Sequence, residues 1–267
     1  MPPPPPERKA VEAPAPEPVP TPAPPPPVPK PSPPPPRKPA VAPVKPVAPV
    51  AKPTAPPAAV PANDAASTHS ISGQIELVAG PNQTIAPADM ANATVYFVAD
   101  AGAARAKPGR FTIYTHNKQF EPESLVIPLG STISFPNQDE ILHNVFSVTP
   151  ASSFDLGLFG EGKSAEYTFK KAGLVLINCN VHHAMQANVL VIDTPYFVRP
   201  GADGRFELSG LPAGPGKLML WHPRAAIQAQ PVLLPLAGAP SLRLTLTKPR
   251  VSEHLNKERK PYASAAL

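Results

Sequence analysis

Four side chains in this 267-residue sequence have types and spacing that suit metal chemistry. Cys179, the only cysteine, opens the stretch CNVHHAM, in which Cys179, His182 and Met185 fall in a Cys-x-x-His-x-x-Met pattern. His143 stands upstream in FPNQDEILHNVFSV. The set offers a thiolate, two imidazoles and a thioether. Soft sulfur donors combined with imidazole select copper over hard cations, and a His₂Cys plane with a weak axial Met is the blue-copper arrangement. Each residue also has a blander use. A lone Cys ending an apolar strand is commonly a small buried hydrophobe, a lone Met is core, and a His-His pair suits a solvated loop. The common spacing and the upstream His-Asn favour the metal.

Holding three such groups on one short loop and a fourth on a neighbouring strand calls for a rigid β-sandwich, and the chain reads that way. From His69 on, apolar and polar residues alternate with period two in ISGQIELV, ATVYFVA, RFTIYTH, SLVIPLG, STISFP, LHNVFSV, AEYTFKK, LVLINC and ANVLVID. GRFELSGLP, KLMLWHP and SLRLTLTK follow. Gly, Pro, Asn and Asp bound these runs, as they bound strands. No window carries a helical stripe of ten or more residues, so the predicted class is all-β. The closing VSEHLNKERKPYASAAL is polar and charged, and is expected to fray.

Composition sets the remaining bounds. Most of the 45 prolines precede Asn63. The Pro/Ala/Val/Lys tract of residues 1–66 cannot bury enough apolar surface to fold, and proline keeps it extended. At ~3.1 Å per residue it reaches roughly 150–200 Å, which suits a spacer or a tether to the cell envelope. The net charge is +5. Up to Pro61 the chain has seven Lys/Arg against Glu7, Glu12 and Glu17, or +4, which leaves about +1 for the rest. A nearly neutral folded part argues against nucleic acid as a partner. One cysteine forms no internal disulfide. No apolar run is long enough to span a bilayer as a helix. MPPPPPERKA lacks the apolar segment of a secretory signal, so the expectation is either a cytoplasmic chain or a leader that lies upstream.

Phe135 to Asp193 resembles a cupredoxin of the plastocyanin, pseudoazurin and amicyanin type. FPNQDEILHNVFSV is similar to the strand carrying that family's first histidine ligand. EYTFKKAGLVLINCNVHHAM is similar to its final hairpin, with Phe169, Gly173, Cys179, His182 and Met185 in matching places. The resemblance implies one type 1 copper site, with His143, Cys179 and His182 equatorial and Met185 axial. It also implies that Asn144 hydrogen-bonds between the ligand-bearing segments. Short-loop members carry Pro after the second His, where this chain has His183. The flanks, SGQIELV with ATVYFV and GADGRFELSGLPAGPGKLMLWHP with SLRLTLT, resemble a carboxypeptidase regulatory-like sandwich, and the composite resembles bacterial methylamine-utilisation-like proteins.

The expected architecture is therefore a cupredoxin Greek-key sandwich, 109–194, inserted in or packed on a second small β-sandwich. That second sandwich is split between 67–108 and 195–248, with a disordered Pro-rich tail, 1–66, and a flexible C-terminal tail, 249–267. An isolated strand pair is marginal, so the first flank needs the second. The expected function is a periplasmic electron carrier cycling Cu(II)/Cu(I) between redox partner proteins. No enzymatic role is expected, because Gly-x-Ser-x-Gly, P-loop and His-Glu-x-x-His motifs are missing from the sequence and a binuclear copper centre needs two cysteines. A copper carrier or sensor, or a metal-free structural module, is the alternative. Reduction potential, copper exchange rate and metal content separate them.

Overall fold

The computed structural model describes Met1 and residues 68–101, 104–251 and 255–260, so the expected polyproline spacer lies outside the described residues. All but Met1 fall in one compact unit, Ala59–Leu267. The fold is all-β: one four-residue α turn, Asp89–Asn92, and one 3-10 turn, Pro150–Ser152, interrupt the strands of the described residues.

Two strands come first, His69–Ala79 (β1) and Thr94–Ala99 (β2). A central group follows: Arg110–Thr112 (β3), Tyr114–His116 (β4), Gln119–Glu121 (β5), Ser124–Pro128 (β6), Thr132–Pro136 (β7) and His143–Ser147 (β8). It continues with Phe154–Phe159 (β9), Ser164–Thr168 (β10), Gly173–Asn178 (β11) and Gln186–Ile192 (β12). The last group is Phe197–Val198 (β13), Arg205–Leu211 (β14), Gly214–Trp221 (β15), Gln228–Leu234 (β16) and Ser241–Leu246 (β17).

The central strands build a cupredoxin-like sandwich. A five-stranded sheet, ordered β6-β12-β11-β8-β9, shares its core with a three-stranded sheet, β10-β7-β3. Ile127, Ile133, Phe135, Val145, Val175, Ile177 and Val189 meet there. Period-two strands put alternate residues on one face, and in β7 this buries Ile133 and Phe135 while Thr132 and Ser134 stay half-buried. Cys179 and Met185 belong to the same core.

The outer strands build the second sandwich from both ends of the described chain. Its sheets are β14-β1-β17 and β13-β2-β15-β16. Each early strand thus lies between late ones: β1 runs antiparallel to β14 and parallel to β17, and β2 runs antiparallel to β13 and β15. Two glycines permit this closeness. Gly204, at φ +79°, sits in the turn before β14, where a Cβ would come 2.3 Å from the Ile75 carbonyl oxygen. At Gly216 a Cβ would lie 2.4 Å from the Phe97 ring.

A third apolar cluster joins the sandwiches. Tyr96 and Trp221 pack against Val126, Leu190 and Ile192. Strands at this seam are covered on both faces: Val189 and Val191 of β12 face the cupredoxin-like core, while Leu190 and Ile192 face the seam. That is why ANVLVID reads as a nearly continuous apolar run rather than a strict alternation.

Three local differences from the sequence reading have physical causes. RFTIYTH forms two strands because it changes partner at the buried Ile113: β3 runs parallel to β7, while β4 turns to pair with β5. Two longer strands escape the alternation pattern because they are edges. In β9, Gly157 adopts φ +75°, and β16 contains Pro231, which a sheet tolerates at its margin. Finally, Leu255–Lys260 is locally ordered where composition suggests fraying. The Asn256 side chain accepts N–H groups from Glu258 and Lys260 at 3.0 and 2.9 Å.

Candidate metal centre

Three predicted ligands converge at one end of the cupredoxin-like sandwich. His143 is the first residue of β8, and Cys179 follows the last residue of β11. His182 lies on the loop to β12, and Met185 immediately precedes that strand. The donor atoms of His143, Cys179 and His182 all lie within 4.8 Å of one another. The Cys179 Sγ is 3.8 Å from His143 Nδ1, and the two imidazole rings sit 5.1 Å apart at 57°. His143, Cys179 and Met185 are buried, while His182 is half-buried. Among the described residues, His69, His116 and His222 lie outside this cluster.

The loop is closed by its own backbone. Met185 N–H donates to the His182 carbonyl at 2.9 Å, and Cys179 N–H donates to the Met185 carbonyl at 3.2 Å. The first bond makes a turn whose two central residues, His183 and Ala184, are exposed. His182 and Met185 therefore flank the turn, whereas His183 sits on its outer side.

His143 is oriented by a residue that sequence reasoning missed. Its Nε2 hydrogen-bonds to the Asp139 carboxylate at 2.7 Å, which makes Nε2 the donor and leaves the Nδ1 lone pair for the cluster. Asp139 is itself held by the β4–β5 hairpin. Asn117 and Lys118, its two loop residues, have φ of +53° and +57°, the pattern of a type I′ turn. Their N–H groups converge on the Asp139 carboxylate at 2.7 and 2.9 Å. Burial opposes the ionised carboxyl, but the bonds from Lys118, His143 and Asn117 outweigh it and hold Asp139 below the usual carboxylate range. The sequence signal was weak: a carboxylate four positions before a histidine means little outside a helix. Asn137 completes the support. It accepts from Thr115 at 2.9 Å and donates to the carbonyls of Ile141 and Phe159 at 2.8 and 3.1 Å.

Asn144 ties β8 to its neighbour β9. Its amide donates to Asp155 Oδ1 at 2.7 Å and to the Gly157 carbonyl at 2.9 Å. Asp155 also accepts from Lys257 Nζ at 3.2 Å.

The residues present fit a soft metal ion. His182 Nδ1 is buried and has no hydrogen-bond partner, an arrangement that costs stability unless something is bound there. Burial, then the charges of His143 and Lys118, hold the His182 imidazole below its ordinary 6.5, against the pull of Asp139. Its neutral, ligand-ready form therefore persists to lower pH. The His-Cys-His cluster with adjacent Met185 resembles a type 1 copper site.

His222 does other work. It follows Trp221 at the end of β15, donates from Nε2 to the Asp89 carbonyl at 3.1 Å, and accepts the Arg224 N–H at 3.0 Å. Arg224 and Arg250 both reach Asp89 Oδ2 at 3.0 Å.

No protein-family model and no curated protein sequence matches the chain. Solved structures similar to it include a purple cupredoxin from Nitrosopumilus maritimus, at 24% identity over 30% of this chain and 98% of that one, with a TM-score of 0.27. A reduced amicyanin variant matches at 19% identity over 37% of this chain and 98% of its own, with a TM-score of 0.30. A copper-containing nitrite reductase from Thermus scotoductus SA-01 matches at 24% identity, covering 44% of this chain but 28% of the reductase, with a TM-score of 0.30.

Proposed function

We propose that the chain is a periplasmic type 1 copper protein that carries single electrons between redox partner proteins. The observation that carries this reading is a donor set assembled before any metal is added: three ligand atoms lie within 4.8 Å of one another, and His182 has a buried Nδ1 without a hydrogen-bond partner. Copper held there supplies a one-electron Cu(II)/Cu(I) couple. Under this reading His143, Cys179 and His182 would hold the ion, and the Met185 thioether would supply a further, weaker soft donor. Asp139 fixes the tautomer and ring plane of His143. Burial of Cys179 and Met185 in the core keeps their sulfurs from moving when the ion's charge changes, which lowers the reorganisation an electron must overcome. The half-buried His182 ring is the route for electrons to the surface.

We also propose that residues 109–194 are the copper domain, inserted into a carboxypeptidase regulatory-like sandwich of 67–108 and 195–248. The pairing of β1 and β2 with later strands supports this division. The second sandwich is a scaffold with no catalytic part.

Titration with Cu(II) followed by visible absorption tests the function. One equivalent is expected to give an intense thiolate-to-copper charge-transfer band, and a reversible one-electron reduction should bleach it. Cys179→Ser should lose the band and keep the β-sheet circular dichroism. A colourless wild-type complex, or a band that survives Cys179→Ser, overturns the assignment.

A further inference from the structure

The two ligand-bearing strands share only a short ladder. The ladder between β8 and β11 is one register pair, Asn178 opposite Phe146. Beyond it the loop projects outward, with Val181, His183 and Ala184 exposed. Proline favours the second position of such a turn because its φ is preset, and this turn has His183 there.

A segment from the far end of the described chain touches both sides. Leu255–Lys260 is closed on itself: Asn256 N–H donates to the Lys260 carbonyl at 2.8 Å, Arg259 N–H donates to the Asn256 carbonyl at 2.9 Å, and Arg259 adopts φ +62°. The compact loop presents Lys257 in two directions. Its backbone N–H donates to Asn180 Oδ1 at 3.2 Å, and its Nζ pairs with Asp155 Oδ2 at 3.2 Å. Asp155 Oδ1 in turn accepts the Asn144 amide at 2.7 Å. Asn180 follows Cys179 in the chain, and Asn144 follows His143. A continuous polar path therefore runs from one ligand strand to the ligand loop through the C-terminal segment.

We propose that Lys257 is a positioning residue for the metal centre, and that Leu255–Lys260 is a strap tying the loop of Cys179 and His182 to the strand of His143. The proposal rests on the copper reading for its consequence, which is slower copper loss, and on hydrogen bonds alone for its structure. The ion pair is exposed on both sides, 35% at Lys257 and 41% at Asp155. It is therefore weak and screened by salt, which makes the strap releasable.

Three variants of the full chain separate the links. Lys257→Pro removes both donors, Lys257→Ala removes only the ammonium, and Lys257→Arg keeps both. Transfer of copper to a Cu(I) chelator should be about 5- to 10-fold faster in Lys257→Pro, the size expected for two exposed polar links. It should be intermediate in Lys257→Ala and unchanged in Lys257→Arg. About 0.5 M salt, where the Debye length is roughly 4 Å, should bring the wild type to the Lys257→Ala rate. In metal-free protein, exchange of the Cys179 and Met185 amides should quicken in Lys257→Pro while that of Phe97 stays constant. Wild-type copper loss together with wild-type exchange in Lys257→Pro overturns the strap, as does equal quickening at Phe97. A wild type that takes up no copper overturns the copper reading instead, and exchange in the metal-free protein still decides the strap.

Discussion

His182 and His183 are adjacent in sequence and opposite in circumstance. The turn bond from Met185 N–H to the His182 carbonyl leaves His183 on the outer side, exposed, while His182 Nδ1 is buried within the cluster. Copper binding should therefore discriminate sharply between them. His182→Ala is expected to lose the blue band and weaken binding severely, whereas His183→Ala keeps the band with a modest shift in potential. Visible absorption and chelator competition on the two variants provide the check. A colourless His183→Ala protein would reverse the ligand assignment. The Cys-x-x-His register was legible in the sequence. The burial that separates the two imidazoles was not, because it depends on where the turn places each side chain.

Among the elements, the β4–β5 hairpin has the least evident purpose in sequence and the clearest in structure. The left-handed region costs an ordinary residue about 1–2 kcal/mol and asparagine less, and Asn117 and Lys118 both adopt it. Two charge-assisted bonds to Asp139 offset that cost, and Asp139 in turn orients His143. Asp139→Ala removes the partner of three donors at once. Supporting carboxylates of this kind are worth about 10- to 100-fold in metal affinity, so that loss is expected in a chelator competition. Unchanged affinity would mean that β8 alone sets the His143 ring. The hairpin escaped notice because Gln119-Phe120-Glu121 is too short to show a period, and RFTIYTH runs on without a visible break.

Across the whole molecule, the outer sandwich exists only because distant segments meet. Ile75 N–H donates to the Gly204 carbonyl at 2.8 Å, and Phe97 N–H donates to the Tyr196 carbonyl at 2.9 Å. Removing residues 196–247 takes away both acceptors, so amide-exchange protection at Ile75 and Phe97 should collapse while Val189 stays protected. Surviving protection would show that β1 and β2 are stable without their partners. The same sandwich carries an acid sensitivity. Burial, opposed by the bond and charge of Asp89 and reinforced by Arg224 and Arg250, pushes His222 down to about 4 from an ordinary 6.5. The unfolded chain therefore takes up that proton first as pH falls. Stability contributed by neutral His222 is complete above pH 6.5 and declines toward pH 4, by about 3 kcal/mol at most. His222→Gln should flatten that part of the pH dependence, as read from denaturant midpoints. A slope unchanged by the substitution would assign the acid sensitivity to other groups.

Strand periodicity and ligand chemistry are local properties, and the sequence determined both unaided. Alternation depends on neighbours two residues apart, which is why the all-β class and the runs around Ile75 and Ile133 were readable. The donor types of His143, Cys179, His182 and Met185 follow from their side chains alone. Tertiary structure decided what depends on long-range meeting. Asp139 became a partner of His143 only because a hairpin in the left-handed region captured its carboxylate. Trp221 and Tyr96 became a seam only because β12 is covered on both faces. Lys257 meets Asn180, 77 positions away, only through the tertiary arrangement. Such contacts bring together groups whose separation in sequence carries no period, so pattern alone had nothing to register.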